Sequence, residues 1–331
     1  MTVAVVILNW NGVQLLETFL PSVVEHSGNA ALYMADNNST DGSVAFVQNR
    51  YPQISILQNT ENAGYAKGYN DALSQVKEDV YVLLNSDVEV TPNWLAPIIA
   101  AFKAHPEIVA AQPKIKDYHR RNHFEYAGAA GGFLDGLGYP FCRGRIFETI
   151  EEDRGQYDKA IPIFWASGAC LFVRRVAFWD VGGFDADLFA HQEEIDLCWR
   201  LQSTGGEVWC LPESTVFHVG GATLKKAHPK KTYYNFRNSL LIMIKNAPTR
   251  KVVPNIIARL FLDGLAAFQF ISAGKPSHAR AILKAHLHFY TMLRAFWKKR
   301  KKQSKTIEYK RVTSIVWYYF IQRKRYFNDL S

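Results

Sequence analysis

A chain of 331 residues, 48% of them apolar, can bury a complete core, which excludes a disordered segment and allows one large domain or a domain with an appendage. The net charge of +9 hides a division, because residues 1–224 carry 15 Lys and Arg against 27 Asp and Glu, a balance of −12, whereas residues 225–331 carry 24 against 3, a balance of +21. The two halves face different partners.

Val3 to Leu8 is a continuous, largely β-branched run, as a parallel strand covered on both faces requires. The opening MTVAVVILNWNG has no basic n-region and no cleavage site, so this run is expected to be a first buried strand rather than a signal peptide. Asn9-Trp10-Asn11-Gly12 turns it into a helix with Leu15, Leu16, Phe19, Leu20 and Val23 on one side. Ala31 to Ala35 runs into the polar loop Asp36 to Ser43 and a second helix, and Ile54 to Leu57 runs into Asn59-Thr60-Glu61-Asn62-Ala63-Gly64. Strand, helix, strand, helix argues a parallel sheet with right-handed crossovers. Leu83 to Val90, LLNSDVEV, then carries Asp87 to a fourth polar tip on the same sheet edge, where open α/β sheets place their ligands. Neither G-x-G-x-x-G nor a Walker motif follows the first strand, which removes the signatures of dinucleotide dehydrogenases and P-loop enzymes. Asp36 can accept the N3–H of uracil or thymine, or it can serve as a turn former and helix cap.

DNNSTDGS after the second strand, NAGYAKGYN after the third and LNSDVEV after the fourth, in this order within the first 90 residues, resemble the nucleotide-sugar domain of inverting family 2 glycosyltransferases. The resemblance implies a GT-A fold, Rossmann-like, with a central mostly parallel α/β sheet flanked by helices. It implies that Asn9, Asp36, Asn62, Gly64, Lys67 and Asp87 line the donor pocket, Lys67 near ribose or phosphate. Asn85 stands at the first position of the usual D-x-D, so one side-chain carboxylate, Asp87, is offered to a divalent cation, Mg²⁺ or Mn²⁺.

Farther along, Thr91-Pro92 suits the cap and first turn of a helix through Ala104, and Ile108 to Ala111 reads as a fifth strand. The Gly-rich aromatic run from Glu125 to Gly144 is either an acceptor-side loop or an irregular hairpin. Phe164 to Val173 reads as a strand with small residues at its centre, which mark either close ligand approach or tight backbone packing. Glu193-Glu194-Ile195-Asp196 opens a helix, and strands are expected from Glu207 to Leu211 and from Thr215 to Val219. On that helix Glu193, Asp196 and Arg200 share a face, while Glu194 points about 100° away from Glu193. By resemblance Glu194 is the catalytic base, with Glu193 as the other candidate, His218 before Gly220-Gly221 is a second metal ligand, and Arg237 in YYNFRN returns over the donor diphosphate.

The resemblance ends near residue 245, which divides the chain into a catalytic domain, 1–245, and a basic amphipathic helical extension, 246–331. Apolar helical stretches from Val252 to Ser272, Ala281 to Trp297 and Ile315 to Ile321 alternate with Lys298 to Lys302 and Arg323 to Arg325. No stretch reaches the ~18 uncharged apolar residues of a spanning helix. Arg259 and Asp263 interrupt the longest, so the tail is expected to lie on an anionic membrane surface. No nucleic-acid motif accompanies the basic residues. Cys142, Cys170, Cys198 and Cys210 form no C-x-x-C pair, which argues against a disulfide framework or zinc site and for reduced cytosolic thiols. The chain is thus expected to be a cytoplasmic enzyme, peripheral on the inner face of the cell membrane. It would move a sugar, rhamnose from dTDP-rhamnose or another sugar from a UDP donor, to a hydroxyl of a lipid-linked or cell-surface glycan. The alternatives are a non-catalytic basic scaffold that binds membrane or nucleic acid on a retained nucleotide fold, and, more weakly, a nucleotidyltransferase lacking its Gly-rich loop.

Overall fold

The computed structural model describes residues 1–220, 228–300 and 307–330; Gly221 of the His218 motif and Lys301 and Lys302 of the basic run lie outside the described residues. The first half alternates strongly: β1 (Val3–Asn9), α1 (Val13–His26), β2 (Ala31–Asp36), α2 (Ser43–Arg50), β3 (Ser55–Gln58), α3 (Gly64–Leu73), β4 (Val80–Asn85), β5 (Val88–Val90), α4 (Ala96–Ala104) and β6 (Ile108–Asp117). Then come β7 (Gly132–Asp135), β8 (Pro140–Cys142), β9 (Arg145–Ile146), β10 (Thr149–Ile150), β11 (Ile161–Pro162), β12 (Cys170–Arg174), α5 (Arg175–Asp180), α6 (Glu193–Ser203) and β13 (Glu207–His218). The basic tail adds α8 (Thr249–Ser272), α9 (Pro276–Lys298) and β14 (Lys310–Val312) after α7 (Pro229–Asn246).

The main sheet runs β11-β13-β6-β12-β4-β1-β2-β3, with β5 on β13. Its β4-β1-β2-β3 half is parallel, and β12 is antiparallel to both of its neighbours. Both faces are covered, which is why β1 reads as an unbroken apolar run. Val5 and Ile7 pack with Leu16 and Leu20 of α1, Val47 of α2 and Phe102 of α4, whereas Ala4 and Val6 pack with Tyr69 and Leu73 of α3 on the other side. The result is a central α/β sheet flanked by helices, the arrangement that the resemblance implies.

Several local expectations are corrected. Thr91-Pro92 does not open the helix: the Thr91 hydroxyl donates instead to the Thr215 carbonyl (2.7 Å), fastening the chain after β5 to β13, and α4 begins at Ala96 with Pro97 in its first turn. Of Phe164 to Val173 only Cys170 onward joins the ladder, because the Ser167 N–H is taken by the Gln112 side chain (2.9 Å) and the backbone bends there. The two strands expected between Glu207 and Val219 are one, β13, with an irregularity between Leu211 and Thr215. Ile315 to Ile321 contributes only a short π turn at Trp317–Ile321.

The Gly-rich aromatic run folds as the hairpins of a second sheet, β10-β9-β8-β7, to which the tail adds β14 in parallel with β7. The extension packs directly on the rest of the chain, with α8 and α9 against each other and against α7. Although Arg259 and Asp263 interrupt it, α8 is 24 residues long and, by length and composition, apolar enough to cross a membrane.

Candidate active site

Register sets the first part of the site. β1 pairs Asn9 with Asp36 and Leu8 with Asn85, and β2 pairs Asp36 with Gln58, so four strand tips end level along one sheet edge. Asp36 is fully buried and accepts from Asn9 Nδ2 (3.0 Å), the Ser39 hydroxyl (2.6 Å) and amide (2.8 Å), and Gln58 Nε2 (2.7 Å). Four donors match the four lone-pair directions of a carboxylate, so a nucleobase N–H could bind Asp36 only if one of them turned away. Asn9 Oδ1 beside it is buried with no partner. Exposed Asn62 caps the next tip, its Oδ1 accepting from the Gly64 amide (3.1 Å). Gly64 is in the left-handed region (φ 79°), where a Cβ would stand 2.6 Å from the Phe189 carbonyl oxygen. That closeness lets the Tyr65 and Ala66 amides donate to the same carbonyl at 2.8 and 3.2 Å. Lys67 sits on the half-exposed side of α3, its ammonium 2.6 Å from Asp71 and 3.7 Å from Glu61.

The turn between β4 and β5 holds Asp87, and β13 ends beside it with His218 opposite Val88. His218 Nε2 lies 3.1 Å from Asp87 Oδ1 and 3.4 Å from Asn85 Nδ2. On the other edge of the ring, Nδ1 is 3.5 Å from a carboxylate oxygen of Glu125. All three charged side chains are buried. Burial acts to lower the His218 pKa, but Asp87 and Glu125 outweigh it and push it up to about 10. The spot therefore favours positive charge. Asp87 and His218 also fit a divalent cation, since two ligands of one octahedral ion stand about 3 Å apart.

A third element brings acids to the same region. Phe189, His191 and Gln192, immediately before α6, all have positive φ (66°, 69° and 74°), a sequence of left-handed residues that the surrounding structure must hold. α7 does so: Asn238 Nδ2 donates to the carbonyls of Leu188 (2.9 Å), Ala190 (3.0 Å) and His191 (2.7 Å), and Arg237 Nη2 donates to those of Asp187 (3.3 Å) and Leu188 (3.0 Å). The remaining Arg237 nitrogens engage Asn238 Oδ1 (2.8 Å) and the Tyr233 hydroxyl (3.1 Å), so in this conformation the guanidinium serves the loop. Asn238→Ala would strip buried carbonyls of their donor at about 1–3 kcal/mol per unsatisfied group. The expected result is a lower melting temperature with kcat reduced more than KM changes; unchanged kcat at full stability would show that the loop needs no clamp.

The loop delivers Glu193 and Glu194 to the first turn of α6. Each has a carboxylate oxygen that is buried without a partner, but the Glu194 residue is only half-buried whereas Glu193 is 4% exposed. Burial pushes Glu194 up to about 7; burial and the neighbouring Glu194 charge push Glu193 well above the usual carboxylate range. Asp196 is engaged quite differently, accepting from Arg200 Nε (2.8 Å), Lys245 Nζ (2.9 Å) and Asn246 Nδ2 (2.8 Å). Tyr65 lies near both glutamates, whose charges act on its phenol, and its hydroxyl donates to Gly168 O (2.7 Å), next to Ala169, whose carbonyl accepts the Asn85 amide (3.0 Å). A Cβ on Gly168 would sit 2.8 Å from that hydroxyl, so tight packing accounts for the small residue there.

The glycosyl transferase family 2 model matches residues 4–182, more than half of the chain and all four of these strand tips. The chain belongs to glycosyl transferase family 2. It is 30% identical, over 66% of its length and 78% of the relative's, to an N-acetylglucosaminyl-diphospho-decaprenol L-rhamnosyltransferase of Mycobacterium tuberculosis. Among solved structures it resembles GalNAc-T7 with UDP, GalNAc and Mn²⁺ (TM-score 0.57, 16% identity, 73% of this chain and 47% of that one). It also resembles the Pyrobaculum calidifontis mannosyltransferase with GDP-Man and Mn²⁺ (TM-score 0.52, 15% identity, 90% and 83%). The protein is therefore a glycosyltransferase of GT-A fold. Sequence reading passed over three residues that the structure brings to this region. Tyr65 and Asn238 lay inside quoted motifs, NAGYAKGYN and YYNFRN, but nothing in the motifs distinguished them. Glu125 carried only one signal, an acid between Phe124 and Tyr126, and it meets His218 only through the turn that follows β6.

Proposed function

We propose that this glycosyltransferase transfers one sugar, with inversion, from a nucleoside diphosphate donor to a hydroxyl of a lipid-linked or cell-surface glycan, with Glu194 as base. Rhamnose from dTDP-rhamnose is the leading donor, supported by the rhamnosyltransferase relative, and a UDP-sugar is the other. That relative's name also supplies the model for the acceptor, a sugar carried on a diphospho-polyprenol. Such an acceptor would keep the enzyme on the inner face of the cell membrane, with an anionic membrane surface rather than nucleic acid as the partner of its basic tail.

The observation that carries this reading is the pair of glutamates at the start of α6, each with one buried carboxylate oxygen that has no hydrogen-bond partner, near Tyr65, whose hydroxyl donates to the Gly168 carbonyl beside β4. A carboxylate with one open oxygen and a pKa raised to about 7 is poised to take a proton from an attacking hydroxyl, whereas the fully paired Asp196 is not. Asp87 and His218 would hold Mg²⁺ or Mn²⁺, which when bound neutralises charge on the departing diphosphate. Among the described residues no group of three or more His, Cys, Asp or Glu is arranged around a metal, so donor oxygens and water would complete the shell. Asn9, Asp36, Asn62, Gly64 and Lys67 would line the donor, and Arg237 would act chiefly through the loop that it holds.

A thermal-shift panel of dTDP-, UDP- and GDP-sugars, each with and without Mn²⁺, tests the reading. The cognate donor at 100 times its Kd should stabilise the protein by about 2.7 kcal/mol. The shift should require the cation and vanish in Asp87→Ala. No response to any nucleotide, or an undiminished response in Asp87→Ala, would refute it.

A further inference from the structure

We propose that α8 and α9 form a flat docking face for an anionic phospholipid surface, lying in the plane of the membrane. The proposal rests on the lipid-linked acceptor reading and specifies which surface of the enzyme meets the lipid. On α8, Val253, Ile257, Phe261, Leu265 and Phe268 are each 52–71% exposed and recur every three or four residues along one side. The opposite side, Val252, Ile256, Arg259 and Asp263, is buried. On α9 the exposed apolar line is Leu283, Leu287, Tyr290 and Trp297. At about 100° per residue, Arg280, Lys284 and Lys298 border that line along one flank and Arg294 falls within it, all four exposed.

The charges decide the occupant. Residues 249–298 contain a single acid, Asp263, and it is fully buried, so the outward surface of both helices carries apolar, basic and a few neutral polar side chains but no carboxylate. That is the pattern of an interfacial helix facing negatively charged headgroups. A second copy of this chain would bring the same basic residues against themselves.

The same contacts exclude a span. α8 is long and apolar enough to cross a membrane, but Asp263 accepts from the Tyr139 hydroxyl (3.0 Å) and pairs with His286 of α9 (3.1 Å). Arg259 donates to the Leu137 carbonyl (3.2 Å), and Asn255 donates to that of Gly136 (2.8 Å). Withdrawing α8 into hydrocarbon would break all four bonds and carry a cation and an acid with it.

Flotation of the full-length protein with vesicles of phosphatidylcholine alone or with phosphatidylglycerol tests the face. Wild type should float with the anionic vesicles, more weakly in high salt, and Phe261→Asp/Phe268→Asp/Leu287→Asp should lose at least tenfold of that binding. These exposed substitutions should leave the melting temperature and the thermal shift with donor and Mn²⁺ unchanged, which separates failure of the face from failure of the transferase reading. Equal flotation of wild type and triple variant would overturn the proposal, as would no flotation of wild type, or a concentration-dependent dimer that the variant abolishes and vesicles do not compete with.

Discussion

Glu194→Gln is expected to keep donor and cation binding while lowering kcat by about 10²-fold or more, the scale on which removal of a general base acts. Inversion requires a carboxylate to accept the acceptor hydroxyl's proton as its oxygen attacks the anomeric carbon. Both glutamates have an unpaired oxygen, but Glu194 is the more accessible residue, half-buried where Glu193 is 4% exposed. Burial and the neighbouring Glu194 charge push Glu193 well above the usual carboxylate range, so Glu193→Gln is expected to retain most of kcat. Because burial raises Glu194 to about 7 and the base form lies above that value, kcat/KM should rise as pH is increased through about 7. This limb belongs to the coupled pair, and it should be absent from Glu194→Gln. A dead Glu193→Gln beside a near-normal Glu194→Gln would transfer the role to Glu193.

The largest loss of stability is expected from Asp196→Ala, about 3–5 kcal/mol in chemical denaturation, because removing one partner of a buried ion pair leaves the others uncompensated. Asp196 is fully buried and joins α6 to α7 through Arg200, Lys245 and Asn246. Lys245 also binds Asp185 (2.7 Å), which takes Lys299 of the tail (2.6 Å), so the network runs from α6 into the extension. Burial acts to raise the Asp196 pKa, but Arg200 and Lys245 outweigh it and hold the carboxyl well below its ordinary value. A depressed folded pKa contributes stability that is complete above the unfolded value, about 3.9, and is lost as pH falls from there towards the folded one. The gap between wild type and Asp196→Ala should therefore be constant near neutrality and narrow only in strong acid. A loss within about 0.5 kcal/mol at pH 7, the range of surface substitutions, would mean that Asp185 alone satisfies Lys245.

The same helix shows how far motif reading reached. Helical spacing separated Asp196 and Arg200 as a structural pair from Glu194, and the structure has Asp196 bound to Arg200 at i,i+4. Spacing also put Glu193 on that face, yet Glu193 is not part of the ion network, because the left-handed residues before α6 set the first turn and Arg200 turns its other nitrogen to the Val181 carbonyl (2.8 Å). Arg237 was read from the affinity of a guanidinium for phosphate. Its observed partners are carbonyls of a loop some 50 residues earlier in the chain, and no local pattern encodes them.

What the sequence determined by itself was the sheet and its working edge. Unbroken apolar runs ending in Asn9, Asp36, Asn59 to Gly64 and Asn85 to Asp87 are local signals, and parallel pairing in register then places their tips on one level without further information. Charge division likewise marked the tail as a surface of different character. Tertiary structure alone decided which side of each tail helix faces outward, that Glu125 stands against His218, and that α7 holds the loop presenting Glu194. The physical reason is common to all three. Burial and hydrogen-bond saturation depend on which residues distant in the chain arrive as neighbours, whereas hydrophobic period and turn chemistry act over a few residues.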